Sequence, residues 1–322
     1  MRVELSVDVF LAIDDVDSYD PNDLHSLLRC FPDGRHDWVT NHEVVAAVAK
    51  HLPKCLPRLA DTYVALARKG MVEQAWTGKT QLHDVVRVGL TDLADCSADL
   101  CRPAVLVVEN SGSDGAFLTA VAHALRHERI LTALKQSWLE VHSAGGSGEV
   151  VRVVREHVSR YRQLIRVVAL LDSDSLIPQQ RTGNHDRADE LAGMDVKVHV
   201  LTRREAENYV PHRVLATIGK HKETSRKLSL LRRLTPQQRS HIDMKHGFTK
   251  AERSKAVRDQ LQQLFHDLEL EVRLGLHDGF GDDLLERLAL WQEQLTERDF
   301  ATLGEDVVDE LRKLLDLVAS RI

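Results

Sequence analysis

Two aspartates one residue apart, Asp172 and Asp174, close the apolar run in "RVVALLDSDS". An uninterrupted apolar run bounded by turn residues describes a strand buried on both faces. Carboxylates at the tip of such a strand repel one another and resist burial unless a cation compensates them. In an extended chain, Asp172 and Asp174 point to one face and Ser173 to the other. A further acid, Glu109, ends the earlier apolar run "AVLVVEN". Carboxylates gathered from neighbouring strand ends form an all-oxygen donor set, which suits Mg2+ or Mn2+ and suits zinc poorly. Taken singly, Asp-Ser-Asp also reads as a turn with helix capping, and Glu109 as a surface acid at a strand end. After the run "VKVHVLT" come Arg203, Arg204, Glu205 and Glu207. The two arginines, near the strand ends, are candidate phosphate contacts. Glu207 reads as a first-turn acid favoured by a helix dipole.

These residues require elements that bring them together. Between 101 and 219 the sequence alternates regularly. "AVLVVEN" reads as a strand, and "SDGAFLTAVAHALRHE" as a helix that Ser113 or Asp114 could cap. "WLEVHSAGG" is a strand ending in paired glycines, and "EVVRVVREHVSRY" a helix. "IRVVALLDSDS" is the third strand, "HDRADELAGM" a short helix, and "VKVHVLT" the fourth strand. "EAENYVPHRVLATIG" reads as a helix bent or restarted at Pro211. Continuous apolar strands separated by helices predict an α/β fold with a mostly parallel four-stranded sheet flanked by helices. In such open sheets ligands bind beyond the C-terminal strand ends, where Glu109, Asp172 and Asp174 are expected.

An acid closing one strand and Asp-x-Asp closing a later one, within a small α/β sheet, resembles the TOPRIM domain of topoisomerases, bacterial primases and several nucleases. "LVVEN", "LLDSDS" and "RREAENYV" are most similar to nucleases of the OLD (overcoming lysogenization defect) type and their stand-alone relatives. Gly145, Gly146 and the Glu-Asn-Tyr run at 207–209 fit that branch. The resemblance covers roughly 110–150 residues, taken here as a TOPRIM-like catalytic domain over 101–219. It implies hydrolysis of a DNA phosphodiester by a metal-activated water, with two ions stabilising the attacking and leaving oxygens. Glu109 would serve as ligand or general base, Asp172 and Asp174 as ligands, and Glu205 or Glu207 would complete the second position. The family places an acid four residues after its first glutamate. Here Ser113 stands there and Asp114 falls one later, as a metal ligand on a longer loop or as a helix cap. OLD-type sites use a lysine beyond the core sheet, and Lys245 in "HIDMKHGF" is the candidate.

The same resemblance implies a separate ABC-type ATPase as partner, and a role in defence against phage or plasmids by analogy. "WTGKT" at 76–80 lacks the glycine and the strand that a phosphate-binding loop requires, because Glu73 stands at the glycine position. Self-association is compatible with the chain. Two rival readings remain: a regulatory or scaffold subunit that keeps the TOPRIM fold without turnover, and a primase- or topoisomerase-like enzyme. The cysteines supply no zinc module for a primase, and a topoisomerase would need a further large domain carrying its tyrosine.

Composition frames these expectations. The 322 residues carry a net charge of −6, which argues against indiscriminate nucleic-acid binding by the whole surface. Residues 201–260, however, hold 15 lysines and arginines against six acids, a stripe suited to a polyanion or to a solvated helical face. Four cysteines without a CxxC pair point to a reducing, cytoplasmic setting. No apolar run approaches the length of a membrane helix. His123 and His127 have helical metal-binding spacing but lack matching acids, and read as a solvated pair. Residues 1–100 open with alternating Val3, Leu5, Val7 and Val9, expected as an edge strand, and continue as a mostly helical region of unknown role. Residues 220–322 read as amphipathic helices with a basic start, packed on the sheet or on another subunit. "LHDGFGDD" at 276–283 is a glycine-rich turn between them.

Overall fold

The computed structural model describes residues 1–15, 20–77, 85–249 and 254–322. Its larger sheet is the one expected: β4 (Ala104–Val108), β5 (Leu139–Ser143), β6 (Val167–Leu171) and β7 (Lys197–Val200) run parallel in the order β5-β4-β6-β7. Val105 pairs with Val167, and Leu171 with Val200. Every residue of β4 and β6 is buried, because each face of the sheet meets helices. Leu106, Val108, Val168 and Leu170 face Phe117, Leu118 and Val121 of the helix Ser113–Ala124. Val105, Val107, Val167 and Ala169 face Val150, Val154 and Leu191 on the other side. Burying each such side chain contributes roughly 1.5–3 kcal/mol, so the alternation fixes both register and facing.

The connections differ in detail from the sequence reading. The helix expected across 113–128 breaks after Ala124, where Arg126 takes a left-handed φ of 54°, and a second helix follows at Glu128–Lys135. The chain after β7 does restart at Pro211. A 3-10 turn spans Ala206–Tyr209 and a short helix spans His212–Leu215.

The N-terminal region contains a second parallel sheet, β2-β1-β3, formed by β1 (Arg2–Leu5), β2 (Asp37–Val39) and β3 (Val85–Val88). β1 is therefore central rather than an edge strand, and it stops at Leu5; Val7–Leu11 is helical and buries Val9 and Phe10. Alternation reported which face is buried but not how many neighbours the strand has. This sheet has its own apolar core, including Leu27, Trp38, Val48 and Leu100. Arg166 seals the junction with the larger sheet. Its guanidinium is wholly buried and donates to the backbone oxygens of Asp99, Leu100 and Arg102 on one side and Arg321 and Ile322 on the other.

The C-terminal helices pack on the larger sheet domain. Leu284–Trp291 lies against Ser113–Ala124, and Val307–Ala319 lies along β7. Among the described residues, no helix is long and apolar enough to cross a membrane. Gly78, Lys79 and Thr80 of "WTGKT" lie outside the described residues.

Candidate active site

The carboxylates singled out in the sequence converge beyond the C-terminal ends of β4, β6 and β7. Glu109 follows β4 directly, and its backbone oxygen is held by Gly145 N at 3.0 Å and Ser143 Oγ at 3.0 Å. The paired glycines need their left-handed geometry here, with φ of 78° at Gly145 and 134° at Gly146. The Glu109 carboxyl is half-buried and pushed up to about 7 by burial, then by the charges of Asp174 and Asp114. Asp172 is half-buried, and desolvation holds it well above the carboxylate range, followed by the charges of Glu207, Asp114, Glu205 and Glu109. Those mutual influences establish one electrostatic cluster drawn from three strand ends.

Asp172 and Asp174 reach the cluster by a route other than an extended strand. β6 ends at Leu171, and Asp174 takes a left-handed φ of 54°, so the same-face geometry of an extended chain does not apply. Ala206 N donates to Asp172 Oδ1 at 2.9 Å, and Asp174 N donates to the Arg204 oxygen at 2.9 Å. Each backbone bond ties the β6 tip to the segment after β7.

Asn184, at the start of the helix Gly183–Ala192, was not foreseen. Its buried amide Nδ2 lies 3.0 Å from Asp174 Oδ2, 2.9 Å from the Asp172 backbone oxygen and 3.4 Å from Glu109 Oε1. Arg187 in turn donates to Asn184 Oδ1 at 2.8 Å. An asparagine at a helix start ordinarily reads as local capping, which concealed this longer-range role. Asp114 does belong to the cluster despite the longer loop. It accepts from Asn110 N at 2.9 Å and from Ser113 Oγ at 3.2 Å, closing its own turn while burial raises its pKa. Neither Ser113 nor Asp114 caps the following helix; its N-cap position is Gly112.

Glu205 and Glu207 are buried on either side of Lys245. The ammonium is 3.2 Å from Glu205 Oε2 and 2.8 Å from Glu207 Oε1. Burial pulls the lysine's pKa down, but the two glutamates outweigh it and hold it above its ordinary value. Burial raises Glu207 even against the lysine. The Glu-Asn-Tyr run is largely a clamp. Asn208 Nδ2 donates to the oxygens of Arg239 and Ile242, and buried Tyr209 donates to Glu310 Oε2 at 2.7 Å.

Lys245 is carried by two interlocked turns. Gly247 N bonds back to the Asp243 oxygen at 2.8 Å, while Phe280 N and Gly281 N reach the oxygens of Met244 and Lys245. "LHDGFGDD" is thus the mount of the lysine turn, and the close approach demands Gly247 and Gly279.

Arg203 and Arg204 do not fit the phosphate role expected of them, since both are buried. Arg203 donates to the Leu303 oxygen at 2.8 Å and stacks over Tyr209. Arg204 lies 3.2 Å from Asp243 and 3.3 Å from Glu205, bracing the lysine turn from within. His127 stands 3.9 Å from exposed Asp316, away from any acid cluster.

The donor chemistry fits a hard divalent cation: all the acids offer oxygen, and their collective repulsion is relieved by added positive charge. The side chains are not preassembled for it, since among the described residues no three His, Cys, Asp or Glu are disposed to hold a metal ion. The chain matches no protein-family model, no curated protein and no solved structure.

Proposed function

We propose that the chain is a Mg2+- or Mn2+-dependent nuclease hydrolysing DNA phosphodiester bonds at this cluster. The observation that carries the reading is the gathering of Glu109, Asp114, Asp172 and Glu207 into one electrostatic group whose pKa values are all raised. A fold gains no stability from such a group, and perturbed titratable residues at the C-terminal end of a parallel sheet mark a functional site. Glu109, Asp172 and Asp174 would hold one ion, and Asp114, Glu205 and Glu207 would serve a second. Bound divalent ions supply Lewis-acid activation of water and neutralise charge on the phosphate.

The chain's own residues supply the rest. Glu109 would serve either as a ligand to the first ion or, held off it, as the general base, a role that its pKa of about 7, raised by burial and by Asp174 and Asp114, suits near neutral pH. Asn184 orients Glu109 and Asp174 together. Lys245 brings a fixed positive charge to the cluster, which growing negative charge on a phosphate requires. A polyanionic substrate is supported by the basic surface after β7, where Lys220, Lys222, Arg226 and Arg232 are exposed. A separate ABC-type ATPase and a role in defence rest on the TOPRIM resemblance alone, and self-association on the amphipathic faces of the C-terminal helices.

The lack of a preassembled donor set, with Lys245 already neutralising two glutamates, favours a second reading as a binding subunit without turnover. Incubating supercoiled plasmid with the full chain and Mg2+ or Mn2+ separates the two. The nuclease reading expects nicking that EDTA stops and that Asp172→Asn reduces at least 100-fold. Equal cleavage by both proteins, or none from either while metal still binds, would overturn it.

A further inference from the structure

The four cysteines are all free, and two of them meet across the N-terminal domain. Cys30 Sγ lies 3.7 Å from Cys101 Sγ, although 71 positions separate them in sequence. Cys30 follows the helix Pro21–Arg29 and is buried, whereas Cys101 ends the helix Leu93–Cys101 and is partly exposed. Cys55 and Cys96 have no such neighbour; their thiols donate to the Leu52 oxygen and to Gln163 Oε1.

The surroundings distinguish the two thiols. Arg166 stands nearby with its buried guanidinium bonded to backbone oxygens rather than to a side-chain acid. Arg35 donates to the Arg102 oxygen, one residue beyond Cys101. The end of a helix disfavours an anion, so these cations must offset the dipole. The contact with Cys30, whose thiol also reaches the Ser26 oxygen at 3.7 Å, is the largest influence lowering Cys101, and with Ser97, Arg35 and Arg166 it brings that thiol to about 7 against burial. Cys30 is raised by the same contact and by burial. One thiol is thus accessible and able to ionise, and the other is buried beside it.

We infer that Cys30 and Cys101 form a redox-modification site at which a hydroperoxide oxidises Cys101 and Cys30 resolves it to an intramolecular disulfide. The Cys101 thiolate attacks the terminal peroxide oxygen; an S–O bond forms, the O–O bond breaks, and the leaving alkoxide or hydroxide takes up a proton. Cys30 sulfur then attacks the sulfenic sulfur. The S–S bond forms, the S–O bond breaks, and the departing hydroxide leaves as water with the Cys30 proton. Two thiols are oxidised and one hydroperoxide is reduced, which balances the two electrons. A disulfide that forms in a reducing compartment is ordinarily of this sensing kind. The crosslink would join two helices just before Arg102 and Pro103 lead into β4, the strand that Glu109 ends. It stands independently of the nuclease reading.

The test treats the full chain with stoichiometric hydrogen peroxide, then measures intact mass and free thiols under denaturing conditions. The expected result is a monomer lighter by two hydrogen atoms, half of its four thiols lost, and full reversal by dithiothreitol. Non-reducing peptide mapping should link the Cys30 and Cys101 peptides. Cys30→Ser should instead accumulate a dimedone-reactive Cys101, while Cys55→Ser/Cys96→Ser should behave as the parent chain. Linkage of any other pair, a crosslinked dimer, or four intact thiols while free glutathione in the same tube is consumed would overturn the inference.

Discussion

Lys245 places its ammonium 2.8 Å from Glu207 Oε1, the lysine carried on a turn and the glutamate on the 3-10 turn Ala206–Tyr209 rather than on a strand or a long helix. The pair explains how Glu205 and Glu207 can be buried with their charge offset. The lysine is about one-quarter exposed and the glutamates 8%, so solvent offers little substitute for it.

Removing that cation should therefore cost more than breaking a surface pair. Lys245→Met leaves two buried carboxylates facing each other, and a loss of roughly 3 kcal/mol is expected at pH 7. Urea unfolding measures it. Lys245→Met/Glu207→Gln should recover part of that loss, because one repelling charge has gone. A loss below about 0.5 kcal/mol for the single variant would place the pair among solvated surface contacts.

The pH dependence follows from Glu109, whose pKa rises from 4.5 to about 7 on folding. Between those values the folded chain keeps a proton that the unfolded chain has released. Stability from this group is full below about pH 4.5, falls as pH rises to 7, and then levels. Glu109→Gln should flatten that slope. It should match the parent at pH 4 and exceed it at pH 8 by on the order of 1 kcal/mol, after discounting for the screening of a half-exposed carboxylate. Mg2+ should stabilise the parent more at pH 8 than at pH 5, and Glu109→Gln less than the parent at pH 8. Thermal melts across pH, with and without Mg2+, check both signs.

The larger sheet was legible because its strands are apolar throughout and stop at turn residues, and strand-end placement then selected Glu109 and Asp172. Other features were hidden for physical reasons. Asp174 adopts a backbone conformation that alternation cannot express. Asn184 acts across 75 positions on Glu109 through one amide, which leaves no periodic trace. Arg203 and Arg204 sit in a basic stretch, but charge composition does not distinguish a buried guanidinium serving backbone oxygens from one facing solvent. The N-terminal sheet was missed because β2 spans only three residues, Asp37–Val39, too short to show a period.

Gly247 provides a test of the lysine mount. Its φ is +58°, and an added Cβ would meet the Leu276 oxygen at 1.9 Å and the His277 oxygen at 2.4 Å. Both are backbone atoms and cannot rotate away. Gly247→Ala should force the two turns apart and destabilise the fold by more than 2 kcal/mol. Gly34→Ala is the control: it shares a positive φ of 75° with no atom near the new methyl, and should lose about 1 kcal/mol. Equal losses for the two would show that backbone strain alone, and not the interlock, governs Gly247.

Lys222 and Arg226 are exposed four positions apart on the helix His221–Leu231, so they share one face. If that face tracks a DNA backbone, Lys222→Ala/Arg226→Ala should weaken binding about equally across DNA sequences. It should also reduce the slope of log affinity against log salt by roughly 2, about 0.9 for each lost phosphate contact. Arg203→Ala should behave differently. Its guanidinium is buried against Tyr209 and the Leu303 oxygen, so the variant should lower the unfolding midpoint while the salt slope stays unchanged. Fluorescence anisotropy with labelled duplex at several salt concentrations, in EDTA to prevent cleavage, separates the two. A change of slope in Arg203→Ala with none in the double variant would move the DNA path away from the helix and toward the strand ends.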